Sequence, residues 1–364
     1  MDDTFGADLW RVQKELEAEI QRSEAILSCM KEGILAIDGA GEVLKLNRKA
    51  RQMLNITGAK VEGAPISFVC GQGELLAFVA EGLAARDNSE REIKLSGPSP
   101  IIAMATRSPM FGSGGEYIGM VVALNDITQL RRLENVRRDF ASNVSHELRT
   151  PITSIRGFVE TLLNGAITEP DAARRFLEII NRHASRLSSI IEDLLTLSSL
   201  EKGEAIELAR QPMLTIVQKA MDGMAEKAEE KHIKMKILCE QGIDVLVNGP
   251  LLETAISNLI DNAINYSEEG TTVSVSAERA GEMVSIHVRD EGPGIEKQHL
   301  DRIFERFYRV DAARSRKAGG TGLGLSIVKH VVLAHRGNVT VESVPGKGSV
   351  FSIHIPIGES QEGE

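Results

Sequence analysis

Four places in this chain carry residues whose type and spacing could do chemistry. The first is His146-Glu147, with Thr150 and Pro151 just beyond. A neutral imidazole is a nucleophile that titrates near neutrality, and a carboxylate beside it can take the ring's other proton as attack proceeds. A zinc site would need His-Glu-x-x-His, and position 150 is Thr, so that reading fails. A nucleophile needs an electrophile, and three later clusters could hold one. Asn258-Leu-Ile-Asp-Asn262 sets two amides on one helix face. An amide oxygen is a hard, neutral ligand suited to a Mg²⁺ that keeps its waters and bridges phosphates; the plainer alternative is a local hydrogen bond. Asp290-Glu-Gly292-Pro-Gly294 reads as the end of a strand in a tight turn. Its carboxylate can accept from an exocyclic amine, and its glycines let a flat ring approach the backbone. Gly319-Gly-Thr-Gly322-Leu-Gly324 opens a helix, where free N–H groups and the helix dipole favour phosphates. A long loop rather than a strand precedes it, so it is not a Rossmann fingerprint. The basic stretch holding Arg309, Arg314 and Lys317 reads as a lid over those phosphates.

The elements that must position these groups follow from periodicity. Leu133, Val136, Phe140, Val144, Leu148, Ile152, Ile155, Val159 and Leu162 recur at spacings of three and four, one stripe of a helix from about 127 to 163. His146 lies two residues past Val144 and so faces away from the stripe, and Thr150 shares its face. Pro151 has no N–H for the carbonyl of Glu147, which predicts a kink just past the histidine. A second helix starts at Pro170 and carries Phe176, Ile180, Leu187, Ile191 and Leu194. Two such stripes bury each other less fully than four, and each buried Leu or Ile is worth ~1.5–3 kcal/mol. A homodimeric four-helix bundle is therefore expected. Beyond it, residues 214–232 predict a helix, 234–239 a strand, 251–265 a helix, 271–277 and 283–289 strands, 323–334 a helix, and 338–343 and 349–355 a strand pair: an α/β domain.

Ahead of the bundle, residues 9–30 form an amphipathic helix, either a parallel pairing helix or one packed on the next domain. Gly39-Ala-Gly41 turns a hairpin between 33–38 and 42–47, small helices cover 48–54 and 74–85, and strands follow at 91–95, 101–107 and 117–124. The chain has 42% hydrophobic and 26% charged residues, which is globular. Its net charge of −10 speaks against nucleic-acid binding. Cys29, Cys70 and Cys239 are too scattered for a metal or redox motif and suit a reducing cytosol. There is no apolar run long enough to span a bilayer, so a cytoplasmic chain is expected, with a membrane-associated partner or relative left open.

The strand and helix order of residues 31–125, closing on Asn125-Asp126-Ile127-Thr128, resembles the PAS sensory fold. This stretch contains no histidine, His146 being the first in the chain, which argues against a histidine-ligated haem. A small-molecule pocket, no ligand at all, or a purely structural dimerisation role remain open. The three later clusters resemble the Bergerat fold of GHKL ATPases, shared by histidine kinases, gyrases, Hsp90 and MutL. With Phe140–Pro151 they look like a bacterial sensor histidine kinase of a two-component system. Ile155-Arg-Gly-Phe-Val-Glu-Thr-Leu-Leu-Asn-Gly165 further resembles phosphate-regulon sensor kinases.

The resemblance implies five segments: 1–30 a signalling helix, 31–125 PAS-like, 126–203 the dimerisation and phosphotransfer hairpin, 204–358 the ATP-binding α/β sandwich, and 359–364 a disordered tail. It implies that His146 accepts phosphate from ATP and is the modified residue, Glu147 is the general base, and Thr150 positions water for a phosphatase activity. It makes Asn258 the Mg²⁺ ligand and sets Asn262 and Tyr266 against the nucleotide. Asp290 would face adenine N6, with Gly292 and Gly294 lining that pocket. Gly320, Gly322, Leu323 and Gly324 would meet phosphates, and Arg309 the γ-phosphate. The expected partners are a second copy and the receiver domain of a response regulator. Asn265 stands where the family usually has Lys or Arg, and Gly249 and Thr254 replace a common Asp and Gln. The rivals are a GHKL ATPase that uses ATP to clamp, and a sensory scaffold with a weak kinase domain.

Overall fold

Two glycines around Ala40 let the chain reverse between β1 (Gly33–Asp38) and β2 (Val43–Leu46). Asp38 Oδ1 accepts from the N–H groups of Ala40 and Glu42 at 2.9 and 2.8 Å, an Asx-type turn that fixes the hairpin. Strands β3 (Ser89–Leu95), β4 (Ile101–Phe111) and β5 (Tyr117–Asp126) complete an antiparallel sheet of order β2-β1-β5-β4-β3. Their period-two pattern puts Leu35, Ile37, Ile93, Met120 and Leu124 in a core. Helices α2 (Arg48–Met53), α3 (Ile66–Val69) and α4 (Gly73–Ala85) supply Met53, Ile66, Leu75 and Phe78 to it. The four-residue α3 is too short to show a period and was not expected.

The computed structural model describes residues 2–58, 61–201, 206–310 and 321–358. Gly319, Gly320, Asp311, Arg314, Lys317 and the expected tail at 359–364 therefore lie outside the described residues. The chain divides into two units, Met1–Arg138 and Asp139–Glu364. In the first, α1 (Asp2–Cys29) precedes the sheet and leaves Val12 and Leu16 of its stripe exposed. At the other end of the sheet, Asp126 Oδ1 accepts from Thr128 N and Oγ1 at 3.0 and 2.6 Å. Those bonds, the hydroxyl's above all, hold the Asp126 carboxyl below the usual aspartate range. Thr128 Oγ1 also accepts from Ile102 N at 2.9 Å, so the Asp-Ile-Thr sequence pins the start of α5 (Thr128–Leu163) to the sheet.

α5 continues through Pro151 to Asn164-Gly165, where φ of +121° at Gly165 ends it. A short 3₁₀ turn, Ala166–Thr168, leads to α6 (Pro170–Glu201). Phe158 and Phe176 stack between the two helices at 5.5 Å. Within one chain Leu162 and Ile190 of the hairpin are buried and Leu197 joins the core of the α/β domain that follows, while Leu133, Ile152, Val159 and Ile191 from the expected stripes stay exposed.

The rest of the second unit is an α/β sandwich. Strands β7 (Lys234–Cys239), β9 (Thr272–Ala280), β10 (Met283–Arg289), β11 (Asn338–Val344) and β12 (Gly348–Pro356) form a sheet of order β11-β12-β10-β9-β7, parallel only between β7 and β9. One layer of helices covers it: α7 (Met213–Asp222), α9 (Gly249–Tyr266) and α11 (Gly324–Ala334). Leu252, Ile256, Leu259, Ile327 and Val331 meet Val273, Val284, Ile286 and Ile353 in the core. The single helix expected over 214–232 is in fact two, α7 and α8 (Ala225–Glu230). Gly223 and Met224 break it, because glycine is a poor helix former. The pair β6 (Ala209–Pro212) and β8 (Asp244–Val247) was not expected; four-residue strands carry too little alternation to read. The last short helix, α10 (Lys297–Leu300), precedes the basic stretch. No helix among the described residues is long and apolar enough to cross a membrane.

Candidate active site

α9 is the element on which the site is built. Asn248 caps it, its Oδ1 accepting from Leu251 N at 3.0 Å, which satisfies one orphan N–H of the first turn. The Asn248 N–H donates to His335 Nε2 at 2.9 Å, while Nδ1 of that ring meets the Val331 carbonyl at 2.8 Å. That pattern needs a neutral imidazole with its proton on Nδ1. Burial holds His335 below the ordinary histidine range. The start of α9 is thereby tied to the end of α11. At the far end, Lys231 Nζ donates to the carbonyls of Ile264 and Asn265 at 2.7 and 2.8 Å, where a cation also suits the helix dipole. Leu259, Ile260 and Ala263 are buried, and Asn258 and Asn262 sit half-buried on the rim, as their spacing requires.

The glycine cluster meets α9 at this rim. A Cβ on Gly324 would lie 2.8 Å from Asn258 Oδ1, so the opening of α11 and the Asn258 amide share one small space. Gly322 has φ of +76°, and a Cβ there would come within 3.0 Å of Phe307 Cα and 3.2 Å of Arg309 Nε. Phe307 N donates to the Gly322 carbonyl at 2.8 Å, and Phe307 itself is held at φ of +62°, a strained region for a side chain of that bulk. The segment at Phe307 and the glycine loop before α11 are thus one knot of backbone. Leu323 is fully buried, and its N–H donates to Thr321 Oγ1 at 3.1 Å.

Asp290 ends β10 with its side chain 6% exposed, Oδ1 accepting from Gly292 N at 2.8 Å and Ser349 N at 3.1 Å. Burial still pushes its carboxyl above the usual range. A Cβ on Gly292 would stand 3.1 Å from the Tyr266 carbonyl, which brings the end of α9 to the Asp290 turn. Gly294, at φ of +71°, passes against the Val344 carbonyl with no room for a Cβ. Tyr266 is 40% exposed. Asn265, the departure noted above, donates to Asp261 Oδ2 at 2.8 Å, and Lys227 pairs with the same carboxylate. At Gly249 a Cβ would collide with the Gln211 amide, and Thr254 Oγ1 turns back to the Pro250 carbonyl at 2.9 Å.

On the hairpin, His146 and Thr150 are exposed and share a helix face. Thr150 Oγ1 donates to the His146 carbonyl at 3.1 Å. Glu147 Oε2 meets Arg186 of α6 at 3.0 Å and Arg309 at 3.4 Å. Further contacts join the hairpin to the sandwich. Phe140 lies 5.9 Å from Phe307, Arg306 stacks over Phe140, and Glu201 pairs with Arg306 and with His330. Thr321 Oγ1 donates to Asp193 at 2.9 Å. Asp193 is pushed up to about 6, first by burial and then by Glu192 and Asp261, against the Thr321 bond. Sequence reading missed Arg186, Asp193, Glu201 and His335, since their partners are far away along the chain and no local pattern announces them.

Three family models match in series. A PAS domain covers residues 31–129, the His Kinase A (phospho-acceptor) domain covers 136–203, and the histidine kinase-, DNA gyrase B- and HSP90-like ATPase covers 248–359. The phosphate regulon sensor protein PhoR of Pseudomonas aeruginosa is 30% identical over 97% of this chain and 78% of its own length. The chain belongs to the sensor histidine kinases. Sensor histidine kinase WalK of Bacillus subtilis is 32% identical over 98% of the chain, which spans 58% of that relative's length. Identity to these two kinases differs by two points, so no one subfamily, the phosphate-regulon sensors included, stands out. Among solved structures, histidine kinase ThkA in complex with the response regulator TrrA aligns over 93% of this chain and 99% of its own, at 21% identity and a TM-score of 0.50, a likeness of fold.

Proposed function

We propose that the chain is an ATP-dependent protein-histidine kinase that phosphorylates His146 and passes the phosphoryl group to an aspartate of a response regulator. One observation carries the reading. Asn258 Oδ1, Gly322, Gly324 and Arg309 converge at the mouth of α11, and Arg309 also meets Glu147, the neighbour of His146. A phosphate site and a nucleophile with an adjacent carboxylate therefore belong to one unit of the fold. ATP binds with adenine N6 donating to Asp290, its ring against Gly292 and Gly294, and its sugar and phosphates along Asn262 and Tyr266. The N–H groups from Gly320 to Gly324 and the Arg309 guanidinium take the phosphate charge. Asn258 fits a Mg²⁺ that takes one amide oxygen and completes its shell from phosphate and water. Bound there, the ion neutralises charge on the β- and γ-phosphates.

In the transfer, a ring nitrogen of His146 bonds to the γ-phosphorus as the bond to the ADP oxygen breaks. The proton on the other ring nitrogen passes to Glu147. The phosphoryl group then moves to a receiver aspartate, and Thr150 orients water for the reverse, hydrolytic activity. The uncovered apolar residues of α5 and α6 support a homodimeric four-helix bundle. The fold also supports a division at residues 30, 125, 203 and 358. Cys29, Cys70 and Cys239 are free thiols, which suits the cytoplasm. The segment Ile155–Gly165 supports a phosphate-regulon type of sensor, and the slightly higher identity to WalK weighs against it. Incubation with γ-labelled ATP tests the core of the proposal. Label that is acid-labile, base-stable and lost in His146→Ala supports it; turnover of ATP without labelled protein replaces it with a clamping ATPase.

A further inference from the structure

Glu147 is held from two sides, and the two sides differ in kind. Arg186 comes from α6, the other helix of the same hairpin, and reaches Oε2 at 3.0 Å. Arg309 comes from the ATP-binding sandwich and reaches the same oxygen at 3.4 Å. All three side chains are largely withdrawn from water, 21% exposed for Arg186, 27% for Glu147 and 10% for Arg309. A charge-assisted bond between such groups fixes orientation far better than one between exposed chains. The backbone beneath Glu147 needs that help. Pro151 cannot donate to the Glu147 carbonyl, and Thr150 spends its hydroxyl on the His146 carbonyl instead. The turn carrying the carboxylate is short of one helical hydrogen bond.

We infer that Arg186 is the positioning residue for transfer to His146: it keeps the Glu147 carboxylate in place on the hairpin while Arg309 exchanges that carboxylate for the γ-phosphate. The inference rests on the proposed role of Glu147 as base. Arg186 exchanges no atom in the step. The ring proton goes to Glu147, the phosphoryl group goes to His146, and ADP leaves. Arg186 and Glu147 stay within reach wherever the sandwich moves, because the packing of α5 on α6 sets their separation. Arg309 travels with the sandwich and with the nucleotide. The two arginines should therefore separate in kinetics, Arg309 in nucleotide binding and Arg186 in the rate of transfer.

The test is a double-mutant cycle in the full chain, reading single-turnover labelling of His146 and, separately, nucleotide affinity. General-base catalysis is worth ~10²–10⁴-fold, and a misplaced base forfeits part of it. Arg186→Ala should therefore slow labelling by about tenfold or more and leave ATP affinity within about twofold. Arg186→Lys, which keeps the charge and loses the fork, should recover part of the rate. In a Glu147→Ala background, Arg186→Ala should add less than about twofold, since there is no carboxylate left to position. An equal loss in both backgrounds overturns the inference, as does a loss confined to ATP affinity. If Arg186→Ala disturbs the hairpin itself, seen as lost helicity or a changed sedimentation coefficient, Arg186→Gln and Arg186→Lys carry the cycle. If Glu147→Ala labels at the wild-type rate, the base assignment falls, and the cycle shows this independently of any effect at Arg186.

Discussion

Asp193 should make the docking of the sandwich on α6 weaken as pH rises through the range where most proteins are indifferent. Burial pushes its carboxyl up to about 6, well above the ordinary aspartate range. A raised carboxylate means that the native state holds the proton more tightly than the open or unfolded state does. Below pH 3.8 both states are protonated and no penalty exists. Between 3.8 and about 6 the native state binds more protons, so stability falls as pH rises, and above about 6 the whole penalty is present. A rise of that size is worth at most ~3 kcal/mol, a tenfold change in proton affinity being about 1.36 kcal/mol, and partial exposure of Asp193 lowers it. Asp193→Asn removes the charge and keeps an oxygen for the Thr321 hydroxyl. It should therefore stabilise the protein by up to ~3 kcal/mol at pH 7.5 and by much less at pH 4.5. The assay is urea unfolding at a series of pH values, with hydrogen exchange over residues 321–334 to separate undocking from unfolding. If the variant and the wild type keep the same difference at both pH values, within ~0.5 kcal/mol, the carboxylate is not being desolvated by this contact.

Three further expectations concern other parts of the unit. His335→Ala leaves the Asn248 N–H without its acceptor, so it should cost ~1–3 kcal/mol in thermal or urea unfolding and weaken nucleotide affinity through α9; wild-type values for both would remove His335 from the support of the site. Ile191→Glu places a charge on the uncovered face of α6 and should turn a dimer into a monomer by sedimentation at micromolar concentration, with a folded sandwich; an unchanged dimer would refute the four-helix arrangement. Gly322→Ala forces a side chain into φ of +76° against Phe307, a strain of ~1–3 kcal/mol, and should lower nucleotide affinity; unaltered affinity by calorimetry would mean that this loop does not cradle phosphate.

What could be read from the sequence was what repeats locally or needs a special residue. The strand at 234–239 and the strand at 283–289 were legible to the residue, because alternation and flanking turns bound them. That the amide pair on α9 and the glycines opening α11 share one place was legible because both stood out by residue type and spacing. The break at Gly223 was not, since one glycine inside a helical pattern is tolerated at a cost of only ~1 kcal/mol and does not by itself end a helix. Nor were the pairs Glu147–Arg186, Asp193–Thr321 and Asn248–His335, because tertiary folding alone brings such distant residues together. The stripe on α6 was half legible. Ile190 is buried and Leu197 is buried in the core of the α/β sandwich, whereas Ile191, which the pattern placed on the helix-pairing stripe, is exposed on a single chain. One period serves two different interfaces, and spacing does not say which is which.

The way α6 meets the sandwich bears on how the kinase can work. Residues 186, 193 and 201 fall within roughly 80° of one another around the helix, and they reach the sandwich through Glu147 and Arg309, through Thr321, and through Arg306 and His330. Two of the contacting segments, around Arg309 and Thr321, belong to the knot of backbone that would hold the phosphates. Beside these polar and charged pairs, Leu194, Leu197 and Leu200 of α6 pack against the apolar core of the sandwich. Exposed ion pairs are worth ~0–1 kcal/mol each, and the Asp193 carboxylate costs stability at neutral pH. The contact of α6 with the sandwich therefore combines apolar packing with charged pairs, and it is the charged pairs that answer to salt and pH. On the proposed role of Arg309, the nucleotide would compete for part of this contact: charge that ATP brought to Arg309 would be charge that Glu147 no longer satisfied, so nucleotide binding should loosen the Glu147–Arg309 pair.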